Sequence, residues 1–159
     1  MTVLIEDTRQ QASKHEAKHE AFERMGVTVV RSKLAHGDYA FPPRVSVDTK
    51  QSIAELASDI DQQHERFRAE CIGARDAGTQ LVILVENSDG VDSIESLAAW
   101  SEGERSFRRR KTAKRRLSGL RLAKACKTMQ RKYGVRFEFC APDAAAEKVL
   151  ELLREGDGS

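Results

Sequence analysis

The apolar residues of this 159-residue chain fall into short β-branched runs separated by amphipathic stretches. Val3-Leu4-Ile5 lies in a strand predicted near 2–6, and Val27-Thr28-Val29-Val30 in a second at 27–31. Tyr39-Ala40-Phe41 and Arg44-Val45-Ser46-Val47-Asp48-Thr49-Lys50 predict a hairpin of strands at 38–41 and 44–50. Leu81-Val82-Ile83-Leu84-Val85 is apolar throughout, as a strand buried on both faces should be, and 135–140 supplies a further strand. Between these, helices are predicted near 9–25, 52–76, 92–100 and 118–133, and from Pro142-Asp143 to about Arg154, with 156–159 as a frayed tail. Strands alternating with helices predict an α/β fold with a mixed central sheet flanked by helices, in a single domain over 1–155.

Charge changes this picture more than composition does. Thirteen basic residues and no acid lie between Arg105 and Lys132, so a chain of net charge +2 carries −11 elsewhere. A cationic segment of this kind neutralises phosphates and releases counterions, which makes nucleic acid the expected partner. Arg108, Arg109, Arg110, Lys111, Lys114, Arg115, Arg116, Arg121 and Lys124 are the expected DNA-binding residues, and the segment permits RNA equally. Stacking aromatics are scarce there, which favours backbone contacts to duplex. The bland alternative is a solvated linker over 101–117. No apolar run approaches the roughly 18 residues of a membrane span and the N-terminus lacks a signal-peptide layout, so a cytoplasmic protein is expected. Cys71, Cys126 and Cys140 have no metal spacing and read as reduced thiols.

The candidate chemistry centres on 37–50. A period of two puts Asp48 and Lys50 on one face of their strand, where carboxylate and ammonium can converge on one phosphate. With Asp38 of Gly37-Asp38-Tyr39 as a second carboxylate, the set offers hard oxygen ligands to Mg²⁺ or Mn²⁺. The ammonium can orient or help activate water and offset charge at phosphorus. That combination suits phosphodiester hydrolysis, although Gly-Asp by itself reads as a turn. Asp7, at the end of the first strand, could instead stabilise a helix N-terminus. Lys14-His15-Glu16-Ala17-Lys18-His19-Glu20 reads as a solvated helix face rather than a metal site.

Taken in order, these segments resemble the XPF-type structure-specific endonuclease domain of the PD-(D/E)xK nuclease superfamily. The resemblance rests on Val3-Leu4-Ile5-Glu6-Asp7-Thr8-Arg9, Gly37-Asp38-Tyr39, Val47-Asp48-Thr49-Lys50 with Ser52-Ile53-Ala54-Glu55-Leu56, and Leu81-Val82-Ile83-Leu84-Val85-Glu86. It is close over roughly 1–90 and loose beyond. Asp48-Thr49 stands where the family has Glu-Arg, and one extra residue precedes the acidic position at Glu55.

The resemblance implies a restriction-endonuclease-like fold and metal-dependent cleavage of branched or flapped DNA. It makes Asp38, Asp48 and Lys50 catalytic and places Asp38, Asp48 and Asp7 at the metal. It also brings Arg9, Glu55, Arg66, Arg68 and Glu86 near the site, with Glu16 or Glu20 as an acid from the first helix. No nucleotide cofactor is expected. The chain ends before the paired helix-hairpin-helix module that usually follows this domain, which suggests a stand-alone, phage-like version. Some such domains are non-catalytic DNA-binding partners, the alternative reading. By analogy a homodimer could form through the apolar stripe from Leu117 to Met129 or through Val149, Leu150, Leu152 and Leu153, unless these are buried within the monomer.

Overall fold

The computed structural model describes residues 2–11, 14–31, 34, 37–41, 45–110 and 115–155. The hairpin turn at 42–44, Lys111, Lys114 and the tail at 156–159 lie outside the described residues. A six-stranded sheet runs through the chain: β1 (Thr2–Glu6), β2 (Val27–Arg31), β3 (Tyr39–Phe41), β4 (Val45–Lys50), β5 (Gln80–Glu86) and β6 (Arg136–Cys140). Its order is β2-β1-β3-β4-β5-β6. The β1/β2, β4/β5 and β5/β6 pairs are parallel, whereas the three-residue β3 is antiparallel to both β1 and β4. The mixed sheet flanked by helices is therefore as the pattern predicts.

Alternation in β5 shows how the layers form. Leu81, Ile83 and Val85 enter a core with α2 (Ile53–Asp61), α3 (His64–Asp76), α4 (Ile94–Ala98) and α6 (Gly119–Tyr133). Val82 and Leu84 enter the opposite core with α1 (Glu16–Arg24) and α7 (Ala145–Glu155). Both faces being covered removes any polar alternation from the strand. Val45 and Val47 of β4 join the α1/α7 side, so Asp48 and Lys50 point to the α2/α3 side at the strand's C-terminal end.

Three element boundaries differ from the sequence expectation. The first helix begins at Glu16 rather than near residue 9, because Asp7 to Gln10 form a turn closed by the Gln10 N–H on the Asp7 carbonyl (3.1 Å). The helix expected over 52–76 is two helices: Gln62 and Gln63 both donate to the Ser58 carbonyl, which breaks the ladder before α3 restarts at His64. A short helix, α5 (Glu104–Arg109), lies within 101–117, where no element was predicted.

Most of both stripes considered for pairing is buried inside the chain, although Leu120 is exposed. Leu122, Ala123, Cys126 and Met129 of α6, and Val149, Leu150, Leu152 and Leu153 of α7, are buried in the two cores. Among the described residues, no helix is long and apolar enough to cross a membrane.

Candidate active site

Asp48 is buried at the end of β4, and Asp38 is held beside it by backbone bonds on two sides. The Asp38 N–H donates to the Val47 carbonyl (2.8 Å), and the Asp38 carbonyl accepts from the Asp7 N–H (2.6 Å). Gly37 makes this approach possible: its φ is +79°, and a Cβ there would lie 2.9 Å from Ser46 Cβ. The Asp38 carboxylate accepts from the Thr49 N–H (2.7 Å) and hydroxyl (3.1 Å). Burial and then the neighbouring Asp48 push the Asp38 carboxyl well above its ordinary range.

Lys50 Nζ lies 2.9 Å from Asp48 and 2.6 Å from Asp59, and 5.6 Å from the centroid of the Phe67 ring. Burial alone would lower its pKa, but the two carboxylates outweigh burial and raise it above the ordinary lysine value. Lys50 is accordingly an ammonium, with no lone pair to take a proton from water. Of the two roles open to it from sequence, orientation and charge neutralisation are the ones this geometry permits.

Four residues that sequence reasoning passed over complete the site. Asp59 of α2 anchors Lys50. Glu70 of α3 accepts from the Gly37 N–H (3.3 Å), and burial, followed by the charge of Asp48, raises its carboxyl to about 7. Gln10 sits between the Tyr39 hydroxyl at 2.5 Å and both Asp38 carboxylate oxygens at 3.0 and 3.1 Å, so its amide oxygen accepts from the phenol and its NH₂ donates to Asp38. His15 is buried with Nδ1 3.1 Å from Lys18 Nζ, an all-donor group that leaves Nδ1 as acceptor and puts the ring hydrogen on Nε2. Burial and Lys18 depress the His15 pKa to about 4, so the ring is neutral. All four line one cleft of about 710 Å³ with Asp38, Asp48 and Lys50.

Asp7, Arg9, Glu55 and Arg66 also line the cleft. The Asp7 carboxylate is already occupied by Arg9 Nε (2.7 Å) and the Leu34 N–H (3.1 Å), and Glu55 accepts from the Gln51 N–H (2.8 Å). Three expected neighbours lie elsewhere. Arg68 donates to the Tyr133 hydroxyl (3.1 Å), Glu20 is exposed on α1, and Glu86 pairs with Lys18 at 2.6 Å. The stretch 14–20 is not wholly solvated either. Lys18 is buried, and His19 reaches the fully buried Glu6 (2.5 Å), which also takes Arg31 (3.0 Å). Acids ending buried strands, Glu6 and Glu86, demanded these cations; that was the available signal.

Of the expected DNA-binding residues, Arg110 is corrected to a structural role, since its guanidinium forks onto the buried Glu102 (2.7 and 2.8 Å). Arg108 pairs with Glu104 and Arg121 with Asp61. Arg109, Arg115, Arg116 and Lys124 are exposed.

Mg²⁺ or Mn²⁺ fits the Asp38/Asp48 pair. Two desolvated carboxylates side by side are costly unless a proton or cation lies with them, and hard divalent ions take such oxygens. Among the described residues no third acid, His or Cys completes a cluster, so further ligands would be backbone carbonyl, as at Thr49, and water.

A model of the ERCC4 domain matches residues 6–153. The chain belongs to the ERCC4 domain family. This ERCC4 domain is also similar to the solved structure of XPF from Aeropyrum pernix, with a TM-score of 0.66 at 19% identity, covering 96% of this chain and 60% of that one. It is similar as well to XPF from Aeropyrum pernix in complex with DNA, with a TM-score of 0.67 at 18% identity, covering 99% of this chain and 66% of that one. At such identities the likeness establishes the fold, which is the XPF nuclease fold implied by the motif order. The ERCC4 domain described here thus spans 60% of the first of these XPF chains and 66% of the second. No curated protein sequence matches it.

Proposed function

We propose that this ERCC4 domain is a metal-dependent DNA endonuclease acting on branched or flapped duplex. The observation that carries the reading is the convergence of Asp38, Asp48 and Lys50 in one cleft, with Lys50 held as an ammonium between two carboxylates.

A divalent ion bound by Asp38 and Asp48 would neutralise phosphate charge and acidify a water. Thr49 and Gln10 fix the Asp38 carboxylate, leaving it little rotamer freedom to lose when substrate binds. Asp59 keeps Lys50 in reach of the phosphate, where the ammonium opposes the charge that develops as water attacks in line. The new bond joins water oxygen to phosphorus, the bond from phosphorus to the 3′ oxygen breaks, the water proton goes to solvent, and the leaving 3′ oxygen takes a proton from solvent to depart as a hydroxyl. Arg9 and His15 also line the cleft, and His15, neutral with its hydrogen on Nε2, supplies a donor there.

The test is cleavage of fluorescent flap, three-way junction, plain duplex and RNA substrates in Mg²⁺ or Mn²⁺. Wild type is compared with Asp48→Asn and Lys50→Ala, and binding is measured in EDTA. The wild-type protein should cut flap or junction DNA, and both variants should bind but lose at least about 10²-fold in rate, as loss of one transition-state charge contact does. Equal binding by all three with no cutting of any substrate would establish a non-catalytic DNA-binding partner instead.

A further inference from the structure

The two limbs of the arginine-rich segment after α4, residues 102–110 and 115–118, meet at a built neck. Ser101 bridges Ser118 in antiparallel fashion. Gly119, next in the chain, packs so tightly under α4 that a Cβ would fall 2.1 Å from the Leu97 carbonyl oxygen and 2.3 Å from that of Trp100. Inside the neck lies Glu102, 2% exposed. Its oxygens accept from Arg110 Nε (2.7 Å) and Nη2 (2.8 Å) and from the Leu117 N–H (2.8 Å). Arg110 Nη2 also donates to the Arg115 carbonyl (2.8 Å). The Phe107 ring has the Arg110 and Arg116 guanidiniums 5.9 and 5.8 Å from its centroid. One buried carboxylate thus pins the outgoing limb, the returning limb and the neck.

Burying a carboxylate is costly, and a solvated tether has no use for one. The cost makes sense where the loop must hold a shape, and what the loop displays is cationic. Arg105, Arg109, Arg115 and Arg116 are exposed and make no ion pair among the described residues. On α6, Lys124, Lys127 and Arg131 continue the display at helical spacing on the outer face. The limbs are also placed relative to the cleft, because Arg121 bonds Asp61 (2.8 Å) at the end of α2, two residues beyond the Asp59 that holds Lys50.

We propose that Glu102 clasps the two limbs at 103–110 and 115–116 into a preformed clamp for the sugar-phosphate backbone of a duplex DNA arm leading away from the cleft. This rests on the nucleic-acid reading of the cleft but not on cleavage. Limbs already held in place pay less entropy on binding, so the clasp converts basic side chains into affinity for a backbone of fixed geometry.

The test is fluorescence anisotropy in EDTA, across a salt series, with flap substrates whose duplex arm is two, four, eight or twelve base pairs long. The proteins are wild type, Arg109→Ala/Arg115→Ala, Glu102→Gln and Arg110→Lys, each checked by thermal melting. The double alanine variant should bind the eight- and twelve-base-pair arms roughly 10-fold more weakly, with the log K against log[salt] slope reduced by nearly two, and should match wild type on two-base-pair arms.

Glu102→Gln discriminates most sharply. It removes a negative charge, so charge alone would tighten DNA binding, whereas loss of the clasp should weaken it about five-fold. Arg110→Lys keeps the charge and loses the fork, and should weaken binding similarly even if Glu102→Gln fails to fold. Long-arm binding by Arg110→Lys at or above wild-type strength, or wild-type binding that ignores arm length, overturns the clamp. Because no step requires cutting, a protein that binds but never cleaves leaves this outcome readable.

Discussion

Glu70→Gln converts the electrostatics of the cleft into a stability measurement. The Glu70 carboxyl, ordinarily at 4.5, is pushed up to about 7 by burial and by Asp48. Between those two values the folded protein holds a proton that the unfolded chain has released. Stability of the metal-free protein therefore falls as pH rises through that window and stays lower above it. A gap of about 2.5 units, the difference between 7 and 4.5, corresponds to about 3 kcal/mol. Glutamine keeps a carbonyl that can accept from the Gly37 N–H and carries no charge to bury. The variant should be about 3 kcal/mol more stable than wild type at pH 8 and nearly equal to it at pH 4.5. For a domain of this size that is a melting-temperature gap of roughly 6–12 °C. Thermal unfolding in EDTA from pH 4.5 to 8 measures it. Asp38, raised in the same direction, tilts both curves alike, so their difference isolates Glu70. A gap that does not change with pH, or a variant less stable at pH 8, would refute the reasoning.

Gly37→Ala should cost about 1–3 kcal/mol, since the residue sits at φ +79° with Ser46 Cβ 2.9 Å from the new methyl. By moving Asp38 it should also weaken Mn²⁺ binding measured by calorimetry; unchanged affinity would separate the turn from the site. Lys18→Met leaves Glu86 buried without its 2.6 Å partner and should cost about 3–5 kcal/mol in urea unfolding, most of it recovered by adding Glu86→Gln. Failure of the second substitution to rescue would show that Lys18 acts through His15 instead.

What the sequence disclosed and what it hid follow from range. Strands announce themselves locally: the unbroken apolar run of β5 and the period of two in β4 located both elements and put Asp48 and Lys50 on one face without knowledge of the fold. Asp59 and Glu70 were hidden because a helical acid facing a cleft has the same local pattern as one facing water. Which face α2 and α3 turn inward depends on the break at Gln62-Gln63, where two amides share the Ser58 carbonyl. Glu102 and Arg110 lie eight residues apart across a loop, a pairing no periodicity encodes. Arg110 was consequently counted among free cations. Likewise the 14–20 stretch looks polar throughout, and only the buried acids of β1 and β5 draw Lys18 and His19 inward.

Joining the two parallel regions of the sheet falls to β3 alone, three residues long, with Asp38 at its threshold bonded to Asp7 on one side and Val47 on the other. Breathing of β1-β2 away from β4-β5-β6 either parts Asp7 from Asp38 or carries Asp38 off Val47, Thr49 and Asp48. A cation shared by those two carboxylates would then act as a rivet across the seam. Ligand occupancy and local opening become one equilibrium, legible as slowed deuterium uptake at the amides of Asp7 and Asp38, far sooner than in any global unfolding signal.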